Sequence, residues 1–275
     1  MDFSQSKALI SGGASGLGLT TAKHIIAAGG KVALLDINQE QGDAVAKELG
    51  DNAIFITTDI SKEQQVEDAA DKAAEFMGGI NLAVGCAGVL GAGLIHSKKG
   101  PMPADYFQKV VDINLVGSFL LTRAASKHMQ ENEEVNGERG VIVHTASIAA
   151  YEGQIGQTAY SATKSAIVGM VLPLAREFAR IKVRVMAVAP PKGKVQDSEV
   201  ILGVASATIA YRHPTPEDLF SDSSINICGP EELDRSECST IHVLTLSILP
   251  AERSQGLGGK LLDELLSRAK ARLQM

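Results

Sequence analysis

A short apolar run near the start of the chain, Lys7–Ser11, leads directly into Gly12-Gly13-Ala14-Ser15-Gly16-Leu17-Gly18, where a helical pattern opens. Glycines at such a strand-to-helix turn permit a tight bend. They also let backbone approach a pyrophosphate, whose charge then faces the helix N-terminus. Alone, the run also suits an ordinary turn, but the pattern of the next 170 residues narrows the choice. Lys31–Asp36, Ala53–Thr57, residues 81–85, residues 141–146 and Val183–Val188 read as further short, buried strands. Helical patterns lie between them at residues 18–28, 41–49, 64–76, 105–129 and 158–180. Near-continuous apolar strands alternating with helices make βαβ units. They predict an α/β fold, a doubly wound parallel sheet of Rossmann type with helices on both faces.

Composition excludes several other classes. The 27 glycines carry no three-residue period, which rules out collagen, and 45% hydrophobic residues against 21% charged are enough to bury a core. A net charge of -6 argues against a nucleic-acid partner, which calls for a basic face. No apolar run reaches the ~18 residues of a membrane span, and the first residues show neither a secretory nor a transit signal. Cys86, Cys228 and Cys238 form an odd, scattered set that suits a reducing compartment, so a cytoplasmic location is expected. His24, His96, His128, His144, His213 and His242 lack metal-ligand spacing, and surface or packing roles are expected for them.

The second strand ends in Asp36, near the spacing at which an acid meets the adenosine ribose. Its carboxylate can accept bonds from ribose hydroxyls and would repel a 2′-phosphate. No Lys or Arg lies between residues 32 and 46 to offset that repulsion, so the expected cofactor is NAD rather than NADP. Asp59 follows the third strand and Cys86 the fourth, at carboxyl ends that form the ligand crevice of an open sheet. Asp59 equally suits a helix N-cap ahead of Ser61, and Cys86 a small buried apolar side chain.

Tyr160 and Lys164 lie four residues apart on one helical pattern and so share a face. A free tyrosine titrates near ~10, and a cation held close favours its phenolate form. Ser147, thirteen residues before Tyr160, lies just past the fifth strand, where its hydroxyl can orient a substrate oxygen. Asn114, inside the long preceding helix, is placed to hold a water that carries the proton outward. The expected chemistry is proton transfer by a general base at a substrate oxygen.

These residues carry a resemblance. The runs Ser11–Gly18, Lys98-Lys99-Gly100, Asp112-Ile113-Asn114-Leu115 and the stretch from Tyr151 to Lys164 together resemble the short-chain dehydrogenase/reductase family, over residues 7–190. Within that family they resemble enzymes acting on 3-hydroxyacyl-CoA and hydroxysteroids. The resemblance implies a catalytic tetrad of Asn114, Ser147, Tyr160 and Lys164. With the glycine loop (Gly12, Ser15, Gly16, Leu17, Gly18), it implies NAD contacts at Asp36, Asp59, Ile60, Cys86, Tyr160 and Lys164. It also admits a mitochondrial location and a homo-oligomer. Lys98-Lys99 suits either a solvated basic pair or contact with an acyl-CoA phosphate. Two departures stand out: Gly85 replaces a usual Asn that ties the central strands together, and Pro191 replaces the Gly that opens a loop over the nicotinamide.

Six of nine prolines fall between residues 190 and 250, and the likeness stops at Pro190–Pro191. The chain therefore divides into a dehydrogenase part, residues 1–190, and a second part, residues 191–275. There a strand-like run at 241–249 precedes Arg253-Ser254-Gln255-Gly256-Leu257-Gly258, and a helix comes after it. The R-x-x-G-x-G spacing resembles the coenzyme A loop of GNAT-type acetyltransferases, with Arg253, Gly256 and Gly258 as its contacts; a glycine-started amphipathic helix is the other reading. The 200–210 run suits an earlier strand of that fold, and the tail reads as a fragment without catalytic competence. Three functions stand open: an NAD-dependent alcohol dehydrogenase, an acyltransferase acting through the 253–259 loop, or a truncated, inactive nucleotide-binding protein.

Overall fold

The computed structural model describes residues 2–189 and 204–207. The expected loop at Arg253, Gly256 and Gly258, the 241–249 strand and Pro191 lie outside the described residues.

In chain order the elements are β1 (Lys7–Ser11), α1 (Gly16–Ala27), β2 (Lys31–Asp36), α2 (Gln39–Leu49), β3 (Ala53–Thr57), α3 (Glu63–Met77) and β4 (Leu82–Gly85). A small hairpin comes next, β5 (His96–Ser97) and β6 (Gly100–Pro101), with Lys98 and Lys99 exposed at its tip. After it lie α4 (Ala104–Val111), a π-helical turn (Asp112–Val116), α5 (Gly117–Met129), β7 (Gly140–Thr145), α6 (Thr158–Phe178), β8 (Val183–Val188) and β9 (Val204–Ala207).

The main sheet has the order β3-β2-β1-β4-β7-β8-β9. Its first six strands are parallel, and β9 joins β8 antiparallel, Val204 opposite Val188 and Ala207 opposite Val185. Strand order runs outward to β3 and then returns to the other side of β1. The carboxyl ends of β1 and β4 therefore flank the crevice where such sheets bind ligands.

Side chains alternate across each strand, so β1 sends Leu9 to one face and Ala8 and Ile10 to the other. On the Leu9 face α3 contributes Val66, Ala69 and Ala73, and α5 contributes Leu121, Ala124 and Ala125. Ala22 and Ile25 of α1 and Val45 of α2 cover the opposite face. Ile167 and Val171 of α6 pack with Ala146 and Ala187. Each fully buried Leu or Ile contributes ~1.5–3 kcal/mol, which makes these two layers the main source of stability.

Local chemistry sets the element ends. Asn38 caps α2 by accepting from Gln41 N–H at 3.1 Å, and Gly78 ends α3 in a left-handed conformation, φ 73°. Asn81, expected as the first residue of a strand, instead uses its side chain to clamp the strand's entry. Its Oδ1 accepts from Lys7 N–H at 2.7 Å and its Nδ2 donates to the Gln5 carbonyl at 2.9 Å. The helix expected over residues 105–129 is interrupted at Asp112–Val116, where the hydrogen bonding widens to a π turn.

Candidate active site

At Gly12 and Gly18 the loop makes contacts that leave no room for a side chain. A Cβ on Gly18 would lie 2.2 Å from the Gly12 carbonyl oxygen, and one on Gly12 would lie 2.7 Å from the Ala87 nitrogen. Helix α1 thus starts hard against the carboxyl ends of β1 and β4. Gly16 has φ +52° and faces open space, and Ser15, Gly16 and Leu17 are exposed at the helix N-terminus. Such an end presents unpaired N–H groups and favours an anion. Asp36, at the end of β2, accepts from Ala14 N–H of this loop at 3.3 Å and from Asn38 N–H at 3.2 Å. The geometry fits a dinucleotide: a bare backbone cradle for the pyrophosphate, with a carboxylate held beside it at the next strand end.

Asp59 lies just past β3 as expected, but the N-cap of α3 is Lys62, so Asp59 does not cap that helix. Its Oδ1 accepts from the Ser61 hydroxyl at 2.7 Å and the Ser61 N–H at 3.0 Å, and its segment leads into α3 beyond β3. Burial pulls its carboxyl upward, but the Ser61 bonds and the Lys62 and Lys109 charges outweigh that and hold it below the usual range. Ile60 is buried against Gly117, where a Cβ would come within 2.8 Å of its side chain. Burial pushes the Cys86 thiol up to about 11, against the opposing charge of Lys164, so it stays an unreactive thiol beside the loop.

The four expected catalytic side chains come from three different elements. Asn114 is fully buried in the π turn; its Oδ1 accepts from Val89 N–H at 2.8 Å, and its Nδ2 donates to the Val89 carbonyl at 2.9 Å. Nδ2 also reaches Thr163 Oγ1 at 3.2 Å, and that hydroxyl donates to the Tyr160 carbonyl at 2.8 Å. Ser147 caps the turn after β7, its Oγ accepting from Ala149 N–H at 3.1 Å. That turn packs on α6, where Ser165 Oγ donates to the Ala150 carbonyl at 2.6 Å. Lys164 Nζ lies 5.7 Å from the Tyr160 ring centre and donates to the Thr145 carbonyl at 2.6 Å. Burial lowers its ammonium from 10.5 to about 8, partly offset by Cys86. Asn114 Oδ1 and Lys164 Nζ both converge on Gly88, lying 3.2 and 3.8 Å from where its Cβ would stand.

Residues 6–198 match the family model described as short chain dehydrogenase. The chain belongs to the short-chain dehydrogenase family. It is 46% identical over 186 residues to 3-hydroxyacyl-CoA dehydrogenase type-2 of Rattus norvegicus, covering 66% of this chain and 71% of that protein. A 3-alpha-(or 20-beta)-hydroxysteroid dehydrogenase of Mycobacterium bovis is 36% identical over 230 residues, covering 82% of this chain and 78% of its own length. Among solved structures, 3-hydroxyacyl-CoA dehydrogenase type-2 from Mycobacterium avium superposes with a TM-score of 0.63. It is 38% identical, over 68% of this chain and 75% of that one. As a short-chain dehydrogenase, the protein is an oxidoreductase with a Rossmann-type sheet.

The short-chain dehydrogenase fold brings Asn114, Ser147, Tyr160 and Lys164 to the carboxyl-end side of the sheet, where the Gly12–Gly18 loop and Cys86 also lie. Two participants escaped the sequence, the Thr145 carbonyl that holds Lys164 and Thr163 between Asn114 and Tyr160, while His144, expected on the surface or in packing, is buried. The first acts through backbone, which leaves no side-chain signal. Thr163 lies inside the Tyr160–Lys164 turn and was legible there. Among the described residues no helix is long and apolar enough to cross a membrane, and no cluster of His, Cys, Asp and Glu could hold a metal.

Proposed function

We propose that this short-chain dehydrogenase transfers hydride between a secondary alcohol, of 3-hydroxyacyl-CoA or hydroxysteroid type, and NAD. The observation that carries the reading is Lys164. Its buried ammonium, one helical turn beyond Tyr160, is fixed on the Thr145 carbonyl at the carboxyl end of β7. Tyr160 takes the proton from the substrate hydroxyl as general base. Ser147 donates to the same oxygen and orients it. Lys164 places a cation beside Tyr160, and Asn114 holds the α4–α5 turn against Tyr160's helix through Thr163. Ser15–Gly18 hold the pyrophosphate, with Gly12 letting the loop close against Ala87. Asp36 holds the adenosine ribose, with Asp59, Ile60 and Cys86 lining the adjoining strand ends. The nicotinamide, when bound, supplies the hydride acceptor.

The substrate side is apolar. Val89, Leu90, Leu94 and Ile95 after β4, and Tyr151 and Ile155 after β7, are exposed on two loops joined by Gly93 N–H donating to the Gly156 carbonyl at 2.8 Å. Such a wall suits an acyl chain or a steroid. NADH fluorescence on adding NAD with a 3-hydroxyacyl-CoA or a hydroxysteroid tests the assignment. Turnover supports it, binding of NAD without turnover supports a non-catalytic nucleotide-binding protein, and neither from folded protein overturns it. Acyl transfer through Arg253, Gly256 and Gly258 is a separate proposal resting on their spacing; acetyl-CoA turnover that survives Tyr160→Phe would favour it.

A further inference from the structure

His144 is fully buried in β7, directly opposite Gly85 of β4. A Cβ on Gly85 would stand 2.5 Å from the His144 Nδ1, so the imidazole occupies the space where a residue 85 side chain would lie. Its other nitrogen, Nε2, lies 2.7 Å from Thr122 Oγ1 of α5. The Thr122 hydroxyl proton goes to the Ser118 carbonyl at 2.9 Å, so the oxygen accepts from Nε2–H and leaves Nδ1 the bare nitrogen. Nδ1 has no hydrogen-bond partner. The chain of bonds continues, for Ser118 Oγ donates to the Asn114 carbonyl at 2.7 Å inside the π turn. The residue after His144 is Thr145, whose carbonyl holds Lys164 and whose hydroxyl donates to the Gly85 carbonyl at 2.8 Å.

We propose that His144 is a positioning residue of the active site: its ring fills the side-chain space of Gly85 and, through Thr122, fixes β7 against α5. Asn114 and Lys164 are thereby set relative to one another. The ring does this as a neutral group. Burial and the nearby Lys164 charge lower it from 6.5 to about 4, so it adds no second cation beside the ammonium. The groups facing it are Lys164, the uncharged Thr122 and the bare backbone of Gly85; Lys164 in turn faces Cys86 and the Tyr160 ring. The glycine that departs from the family pattern is then the complement of this histidine rather than a simple loss.

The proposal rests on the dehydrogenase reading, and its test separates the two. His144→Gln keeps a donor near the place of Nε2, whereas His144→Ala removes it. The alanine variant is expected to lose about tenfold or more in kcat with KM for NAD little changed, and the glutamine variant to recover most of it. Gly85→Ala, disruptive in the parent, should be nearly silent in the His144→Ala background, because the ring that it strikes is gone. Equal losses in the Ala and Gln variants with parental melting curves would reduce His144 to packing, and additive effects of Gly85→Ala and His144→Ala would show that the ring does not fill the Gly85 space. Where a variant does not fold, nitrogen-15 histidine NMR of the parent decides. One ring should stay a neutral Nε2–H tautomer down to about pH 4, and titration of every ring near 6.5 overturns the proposal. Failure of the dehydrogenase reading shows instead as a parent without turnover, while the ring signal and the Gly85–His144 coupling in melting curves are read without substrate.

Discussion

The Lys164 ammonium donates to the Thr145 carbonyl at 2.6 Å, from a side chain buried between α6 and β7. The bond ties the helix that carries Tyr160 to the strand end that leads to Ser147. It also keeps a cation where water cannot fully solvate it, and burial lowers that cation from 10.5 to about 8. The site therefore holds a group that favours the unfolded chain and is kept for its position.

This has a measurable sign. Unfolded Lys164 keeps its proton up to 10.5 and folded Lys164 releases it near about 8, so the unfolded state binds more protons across that window. The Lys164 contribution to stability is fully present above the upper value and lost as pH falls through the lower one. A shift of this size corresponds to roughly 3 kcal/mol. Urea unfolding of the parent and of Lys164→Met at a series of pH values should show the parent gaining on the variant as pH rises through the window. Parallel curves would contradict the burial argument.

Tyr160→Phe removes the hydroxyl while keeping the ring beside Lys164. Turnover should fall by about 10²-fold or more, with NADH binding within a fewfold of the parent. Retention of turnover would remove Tyr160 from the role of base.

In the proposed function Asp36 is the charge that discriminates between cofactors. Asp36→Ala deletes an acceptor for ribose hydroxyls and a repulsion toward a 2′-phosphate, so the ratio of NAD to NADP affinity should fall by roughly tenfold or more. Fluorescence titration with NADH and NADPH reads the ratio. Melting temperature serves as the control, since the carboxylate also anchors Ala14 and Asn38.

Gly18→Ala places a methyl 2.2 Å from the Gly12 carbonyl oxygen, and its three nearest atoms are all backbone. Helix α1 must lift from β1, at about 1–3 kcal/mol, and the cradle opens. NADH affinity and thermal stability should fall together. Parental binding in a stable Gly18→Ala protein would mean that the loop is not the pyrophosphate site.

What was legible from the chain alone was whatever neighbouring residues decide. Strands β1, β2, β3 and β8 were read at their observed limits, because each is a compact apolar run bounded by polar or turn residues. The glycine loop was read for the same reason: a strand, a bend and a helix start succeed one another within a dozen residues. Tyr160 and Lys164 were paired because helical geometry places residues four apart on one face.

Packing decided the rest. The π turn at Asn114 goes with hydroxyls of Ser118 and Thr122 that bond back onto the helix, and with the side-chain bond from Asn114 to Thr163 on another helix. The edge place beside β8 falls to Val204–Ala207, from the 200–210 run that reads in the sequence as a strand of the second part. Why residue 85 is glycine could be seen only when β7 brought His144 opposite it, since the two lie 59 positions apart and meet through sheet register. Propensity and turn chemistry act over a few residues, and they wrote the sheet, the loop and the Tyr160–Lys164 pair into the sequence. Contacts between distant segments exist only once helices have docked on that sheet, so the carbonyl that holds Lys164 and the ring that fills the space at Gly85 belong to the tertiary structure.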